Sequence, residues 1–172
     1  MQEFSEILEQ ATARIPEEYF QLPIDGRDDP IYRERVYCYE LYHQLRTLWP
    51  PQSEYSLAGE VDKSGHPLIR GNGLDRSKPD FLVHVPGNMA GNYAVIEVKP
   101  ICAQAREVWR DLETLSNFVV HAQYVRAVFL VYGWEADGRV LGAAENWLHA
   151  HDGPAIEIWH HAAPLAAARM LP

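Results

Sequence analysis

The stretch from Lys78 to Pro100 limits what this chain can become more than any other. It reads KPDFLVHV, then PGNMAGN, then YAVIEVKP. Two apolar runs on either side of a Gly/Pro/Asn loop predict two strands joined as a hairpin. Strand side chains alternate faces with a period of two. On the second run Ala94, Ile96 and Val98 then share one face, and Tyr93, Val95, Glu97 and Lys99 share the other. An acid and a base stand side by side on a largely apolar strand, and a second acid, Asp80, opens the first run. Charged groups are expensive to bury unless they pair or bind a metal, so the cluster calls for a chemical reason.

The rest of the chain arranges itself around that hairpin. Phe4, Ile7, Leu8 and Ala11 recur at helical spacing within residues 2–14, and PEEYFQLPIDGRDDP follows as a turn-rich connector. A stronger helix runs from about Ile31 to Trp49, stopped by Pro50-Pro51. Its stripe is Cys38, Leu41, Tyr42, Leu45, Leu48 and Trp49. Glu40 falls roughly 150° away at about 100° per residue, beside Val36 and Tyr37, which predicts a helix enclosed on most sides. EYSLAGEVDKSG reads as a strand ending at Ser64-Gly65, and HPLIRGNGLDRSKPD as a loop carrying Arg70, Arg76 and Lys78. After the hairpin a helix begins near Cys102, with Ala105, Val108, Leu112, Leu115 and Val119 on one face and Arg106 and Arg110 off it. RAVFLVYGW is an almost wholly apolar strand, hence central; AAENWLHAH is a short helix and AIEIWHH a last strand. The expected fold class is α/β, a mixed central sheet between helices in the order α-β-β-β-α-β. A chain of 172 residues is expected to form one domain, with a core at about 31–134 between an acidic N-terminal and an Ala/His-rich C-terminal extension.

Charge decides which partners the chain can take. The formal net charge is -9, which argues against sequence-independent affinity for a polyanion. Its distribution softens that argument. Residues 1–30 carry eight acids against two arginines, and residues 133–172 carry five acids against two arginines. The middle, 31–132, balances at 11 acidic and 11 basic groups. The centre is therefore not hostile to nucleic acid. The sequence has no apolar run long enough to cross a bilayer and no basic-then-apolar leader. Its two cysteines, Cys38 and Cys102, lack metal-type spacing. A reduced, cytoplasmic protein is expected.

Converging carboxylates suit a hard divalent cation with oxygen ligands, Mg²⁺ or Mn²⁺. Such an ion acidifies bound water and stabilises charge on a phosphodiester in the transition state. Asp80 and Glu97 would be ligands and the Val98 carbonyl a further one. Lys99, one pleat from Glu97, would orient or deprotonate water or steady the phosphate. A proline-aspartate at 79–80, sixteen intervening residues and then Glu97-Val98-Lys99 resembles the PD-(D/E)XK nuclease superfamily, with its restriction-endonuclease-like fold. The resemblance covers about Ile31 to Trp134. It implies metal-dependent hydrolysis of nucleic acid, with DNA ahead of RNA. It also implies a glutamate on the first helix that completes the metal site, which Glu40 matches, with Glu60 on the preceding strand as competitor. Arg70, Arg76, Lys78, Arg106 and Arg110 bracket the motif and are candidates for binding phosphate.

Other chemistries find little support. His149, His151, His160 and His161 have no companion cysteines at zinc spacing. Gly71-Asn72-Gly73 lacks the strand-turn-helix context of a phosphate loop, and no nucleophile elbow is present. No appended recognition domain is visible, so nonspecific or structure-dependent cutting is expected, with a homodimer or partner subunit to supply affinity. The rival expectation is a catalytically silent protein of the same fold that serves as a nucleic-acid- or protein-binding subunit.

Overall fold

The computed structural model describes residues 2–59, 74, 77–134 and 138–172. Its helices are α1 (Gln2–Thr12), α2 (Glu17–Phe20), α3 (Glu34–Leu48), α4 (Ala105–Ala122) and α5 (Arg139–Ala150). Its strands are β1 (Ser56–Gly59), β2 (Phe81–His84), β3 (Asn92–Pro100), β4 (Arg126–Tyr132), β5 (Glu157–His161) and β6 (Arg169–Met170). Among the described residues the strands form one sheet in chain order. Neighbours β1, β2 and β3 are antiparallel, β3, β4 and β5 run parallel, and β6 returns antiparallel to β5. This is the mixed α/β sheet expected from the sequence. The expected continuation of β1 to Ser64-Gly65 lies outside the described residues, as do Glu60, Arg70, Gly71-Asn72-Gly73 and Arg76.

Apolar runs on both faces make β3 and β4 the middle of the sheet. Every residue of β3 except Pro100 is buried, and so is every residue of β4 except Arg126. Parallel strands covered on both faces have this pattern. One face carries α1, α2 and α3: Phe4, Leu8, Phe20, Tyr37 and Leu41 pack with Ile96, Val98, Leu130 and Tyr132. The other carries α4 and α5: Val108, Leu112, Phe118 and Trp147 pack with Val95, Phe129, Val131 and Ile158.

Three local results depart from the expectations. The connector after α1 contains the short helix α2, which buries Phe20. Helix α3 is not enclosed: Tyr37, Cys38, Leu41 and Leu45 are buried, but Tyr39 is 64% exposed. Tyr93 leaves the face expected for it. Val83 pairs with Ala94 and His84 with Asn92, so Tyr93 is the extra residue of a bulge. The bulge turns its ring toward α1 and the β1 approach, with ring centroids 6.1 Å from Phe4 and 5.1 Å from Tyr55. From Ala94 onward the predicted alternation holds, and Glu97 and Lys99 keep their shared face.

Arg126 secures the start of β4. Its guanidinium donates to both carboxylate oxygens of Glu157 at 2.7 Å and to Ser5 Oγ at 3.0 Å, and it lies 5.1 Å from the centre of the Phe4 ring. One side chain thus joins β4, β5 and α1. At the opposite end of β4, Tyr37 stacks on Tyr132 with centroids 3.8 Å apart. The Tyr37 hydroxyl meets His161 Nδ1 at 2.8 Å.

His161 gives this core a pH signature. Burial pushes its imidazole down to about 4, and His160 adds to the effect, against partial offsets from the backbone at Ala163 and Ala166. The unfolded chain takes up this proton near pH 6.5 and the folded chain only near 4. Stability from this residue is therefore full above about pH 6.5 and falls as the pH drops toward 4, by up to about 3 kcal/mol. Replacing the imidazole in His161→Asn should flatten that part of the stability profile. Urea midpoints of both proteins at pH 7.5, 6 and 5 check this. An unchanged difference between the two proteins across the series would place the acid lability elsewhere.

Candidate active site

Strand register brings the two acids together. Phe81 pairs with Ile96 across β2 and β3, so one step further along this antiparallel ladder sets Asp80 opposite Glu97. Like charges directly opposite each other destabilise a sheet. Here a proton relieves the repulsion. Asp80 Oδ2 accepts a hydrogen bond from the Val98 amide at 2.8 Å, and burial together with the neighbouring carboxylate favours the protonated form of Glu97. Burial raises the Asp80 carboxyl to about 6, and the Val98 amide restrains the rise. Glu97 is 7% exposed, and burial followed by the Asp80 charge pushes it well above the usual carboxylate range.

A second charged group sits one pleat away. Lys99 Nζ lies 2.7 Å from Glu34 Oε2 and 2.9 Å from Asp111 Oδ2. The Asp111 contact is a buried ion pair. Burial alone would lower the lysine's pKa; Asp111 and Glu34 reverse this, and it ends above its ordinary value. Lys99 therefore stays an ammonium at neutral pH. The two carboxyl partners arrive from opposite sides of the sheet, Glu34 from the first turn of α3 and Asp111 from the buried face of α4. A cleft of about 450 Å³ opens over the cluster, lined by Glu34, Asp80, Glu97, Lys99 and Asp111 with Lys78, Arg110, Ser77 and Thr114.

The structure thus brings Asp80, Glu97, Lys99, Lys78 and Arg110 to one cleft. Arg106 is exposed on α4 and lines a neighbouring depression with Arg110. Glu40 does not belong to the cleft. It is half-buried and accepts a 2.6 Å bond from Gln44 one turn along α3. The acid that α3 contributes is Glu34, and Asp111 is a further acid that the expectations missed. Both carried a signal. Glu34 precedes Cys38 by four residues and Leu41 by seven, so it continues the buried stripe toward the N-terminus. Asp111 falls between Val108 and Leu115 at spacings of three and four, a charge inside an apolar stripe.

Among the described residues, no group of three or more His, Cys, Asp and Glu side chains is arranged to hold a metal ion. A pair of carboxylates is nevertheless a sufficient protein contribution for Mg²⁺, which keeps most of its waters. The N–H and C=O of one strand residue point to the same side, so the Val98 carbonyl faces the edge where its amide meets Asp80. Asp80, Glu97 and that carbonyl are hard oxygen donors, and two carboxyl groups placed opposite each other favour a positive charge between them. The donor set fits a divalent cation.

Comparison of the chain with protein-family models, with curated proteins and with solved structures gave no match.

The site geometry makes Glu97→Gln a stabilising substitution in the absence of metal, because an amide donates to Asp80 without a buried proton equilibrium. At pH 7.5 with EDTA the variant should melt higher than the parent by a few degrees. Magnesium should raise the melting temperature of the parent and leave that of the variant nearly unchanged. A variant that melts lower than the parent in EDTA would show that the paired carboxyls are not strained.

Proposed function

We propose that the chain is a metal-dependent nuclease of the PD-(D/E)XK type, hydrolysing phosphodiester bonds in nucleic acid, with DNA ahead of RNA. The observation that carries this reading is the Asp80–Glu97 carboxyl pair facing an open cleft beside a buried lysine. Asp80, Glu97 and the Val98 carbonyl would hold Mg²⁺ or Mn²⁺. That ion supplies an acidified water and neutralises charge on the phosphate.

The chain's own groups divide the remaining work. Lys99 keeps its proton, so it serves as a hydrogen-bond donor and positive charge. It orients water and steadies the phosphate oxygens but does not remove a proton. Asp111, buried, holds the ammonium in place. Glu34, whose side chain is 37% exposed, is the partner that Lys99 can exchange for a phosphate oxygen. Lys78 and Arg110 at the rim of the cleft meet the flanking phosphates as charge-assisted donors. The unpaired cysteines, Cys38 and Cys102, accord with a reducing, cytoplasmic setting, and among the described residues no helix is long and apolar enough to cross a membrane. A homodimer or partner subunit would offset the acidic flanks.

One observation favours a second reading, a binding subunit that keeps the fold without the chemistry. Lys99 is matched by two carboxylates, and a lysine so neutralised can serve as a structural tie alone. The two readings separate in a degradation assay. Plasmid, single-stranded DNA and RNA are incubated with Mg²⁺, Mn²⁺ or EDTA. A nuclease should cut one or more of them only with metal, and Lys99→Ala should lower the rate by about 10²–10⁴-fold while substrate binding persists. Equal degradation by parent and variant, or none by either, leaves the binding reading.

A further inference from the structure

We infer that the substrate crosses the site as a single, unpaired strand, held by aromatic stacking on both sides of the acids. This rests on the nuclease reading for its place but not for its binding chemistry. Three depressions in the surface are joined by shared residues. The first, about 320 Å³, lies between α3 and the β1–β2 edge and is walled by Tyr39, Tyr42 and Phe81. It shares Asp80 with the active-site cleft. That cleft shares Arg110 with a third depression of about 460 Å³, walled by Trp109, Trp147 and Arg106. The order across the surface is therefore aromatic pocket, carboxyl pair, arginines, aromatic pocket.

Each end presents an exposed ring, Tyr39 at one and Trp109 at the other. Tyr42 lies parallel to Phe81, with an interplanar angle of 13° and centroids 6.2 Å apart. The neighbouring Tyr39 ring is 64% exposed. Gly59 keeps this pocket open: a methyl group there would reach Tyr42 and Phe81 at 3.8 and 3.9 Å. At the other end Trp147 stacks on the His151 imidazole at 4.3 Å and 12°. Trp109, 46% exposed, stands edge-on to the same imidazole at 6.4 Å. Volumes of this size are at the scale of small-ligand pockets, enough for a nucleotide at each end.

Charge decides between one strand and two. Binding to a duplex draws its affinity from many phosphate contacts. This chain carries a net charge of -9, and the track offers Arg106, Arg110 and the rim lysine. Stacking supplies affinity without positive charge and needs base faces that a paired helix hides. An acidic protein with aromatic pockets flanking its carboxylates is suited to unpaired bases.

The test measures binding apart from cutting. Lys99→Ala protein in Mg²⁺ is titrated into a labelled oligothymidylate of about twelve nucleotides, and into a duplex of equal length, with fluorescence anisotropy as readout. The single strand should bind at least tenfold tighter. Adding Tyr39→Ala or Trp109→Ala should weaken it about tenfold without changing the salt dependence. Arg106→Ala with Arg110→Ala should instead reduce the salt slope by about 1–1.5. Gly59→Val, which fills the first pocket and removes no ring, should reproduce the Tyr39→Ala loss. Tighter duplex binding, or parental affinity in the Tyr39, Trp109 and Gly59 variants, overturns the inference, even if the parent protein cuts. Tight single-strand binding by a protein that cuts nothing upholds it and refutes the nuclease reading.

Discussion

The pairing of Asp80 with Glu97 is the constraint on which the rest of the site depends. It arises from register alone: once Phe81 faces Ile96, the residue before the short strand must face the residue after its partner. Two carboxyls so placed cannot both be charged without cost; the Val98 amide stabilises Asp80, and Glu97 is pushed toward its protonated form. Nothing about sheet stability calls for this arrangement. An apolar pair at the same positions would pack into the surrounding core, as Phe81 and Ile96 do one step away. Local disagreement between a favourable pattern and its residues is where functional sites are expected in a chain that otherwise folds consistently.

Lys99 extends the same logic across the sheet. Its ammonium is drawn by Glu34 from the α3 side and by Asp111 from the α4 side. The cluster therefore stitches both helical layers to the end of β3. Charge in the cleft is close to balanced while Glu97 keeps its proton: Asp80, Glu34 and Asp111 face Lys99, Lys78 and Arg110. Loss of that proton would tip the cleft negative, and under the proposed metal-dependent reading that is the state in which a divalent cation would take the proton's place.

Much of this was legible in the chain, and what was not has identifiable causes. The hairpin, both amphipathic helices and the central strand follow from hydrophobic period and turn residues, and the pairing of Glu97 with Lys99 follows from the strand repeat. Tyr93 was misplaced because a bulge adds a residue to β3, and a period-two argument has no means to anticipate it. The third acid was misplaced for a different reason. Glu40 matched by resemblance, but its angle on α3 lies away from the stripe that faces the sheet. Glu34 lies on that stripe, one turn before its first apolar residue, where a search for hydrophobic residues stops. Asp111 was hidden among the leucines of α4. In both helices the informative residue was the charge that interrupted the apolar face.

That rule has a physical basis that reaches beyond these two residues. A helix stripe marks what the fold desolvates, and a carboxylate placed on it loses its hydration. It remains there only where a cation replaces the water, and here the cation is the Lys99 ammonium, itself drawn from water by the same burial. Lys99 and Asp111 are the buried pair, and Glu34, 37% exposed, is the outer partner of the ammonium. Removing Lys99 leaves Asp111 a buried carboxylate without its ammonium. The aromatic pockets on either side obey the opposite rule, since Tyr39 and Trp109 are large rings left in water. Buried charge at the centre and exposed aromatic surface at the flanks are both departures from ordinary folding economy, and the neighbouring depressions that hold them share Asp80 and Arg110.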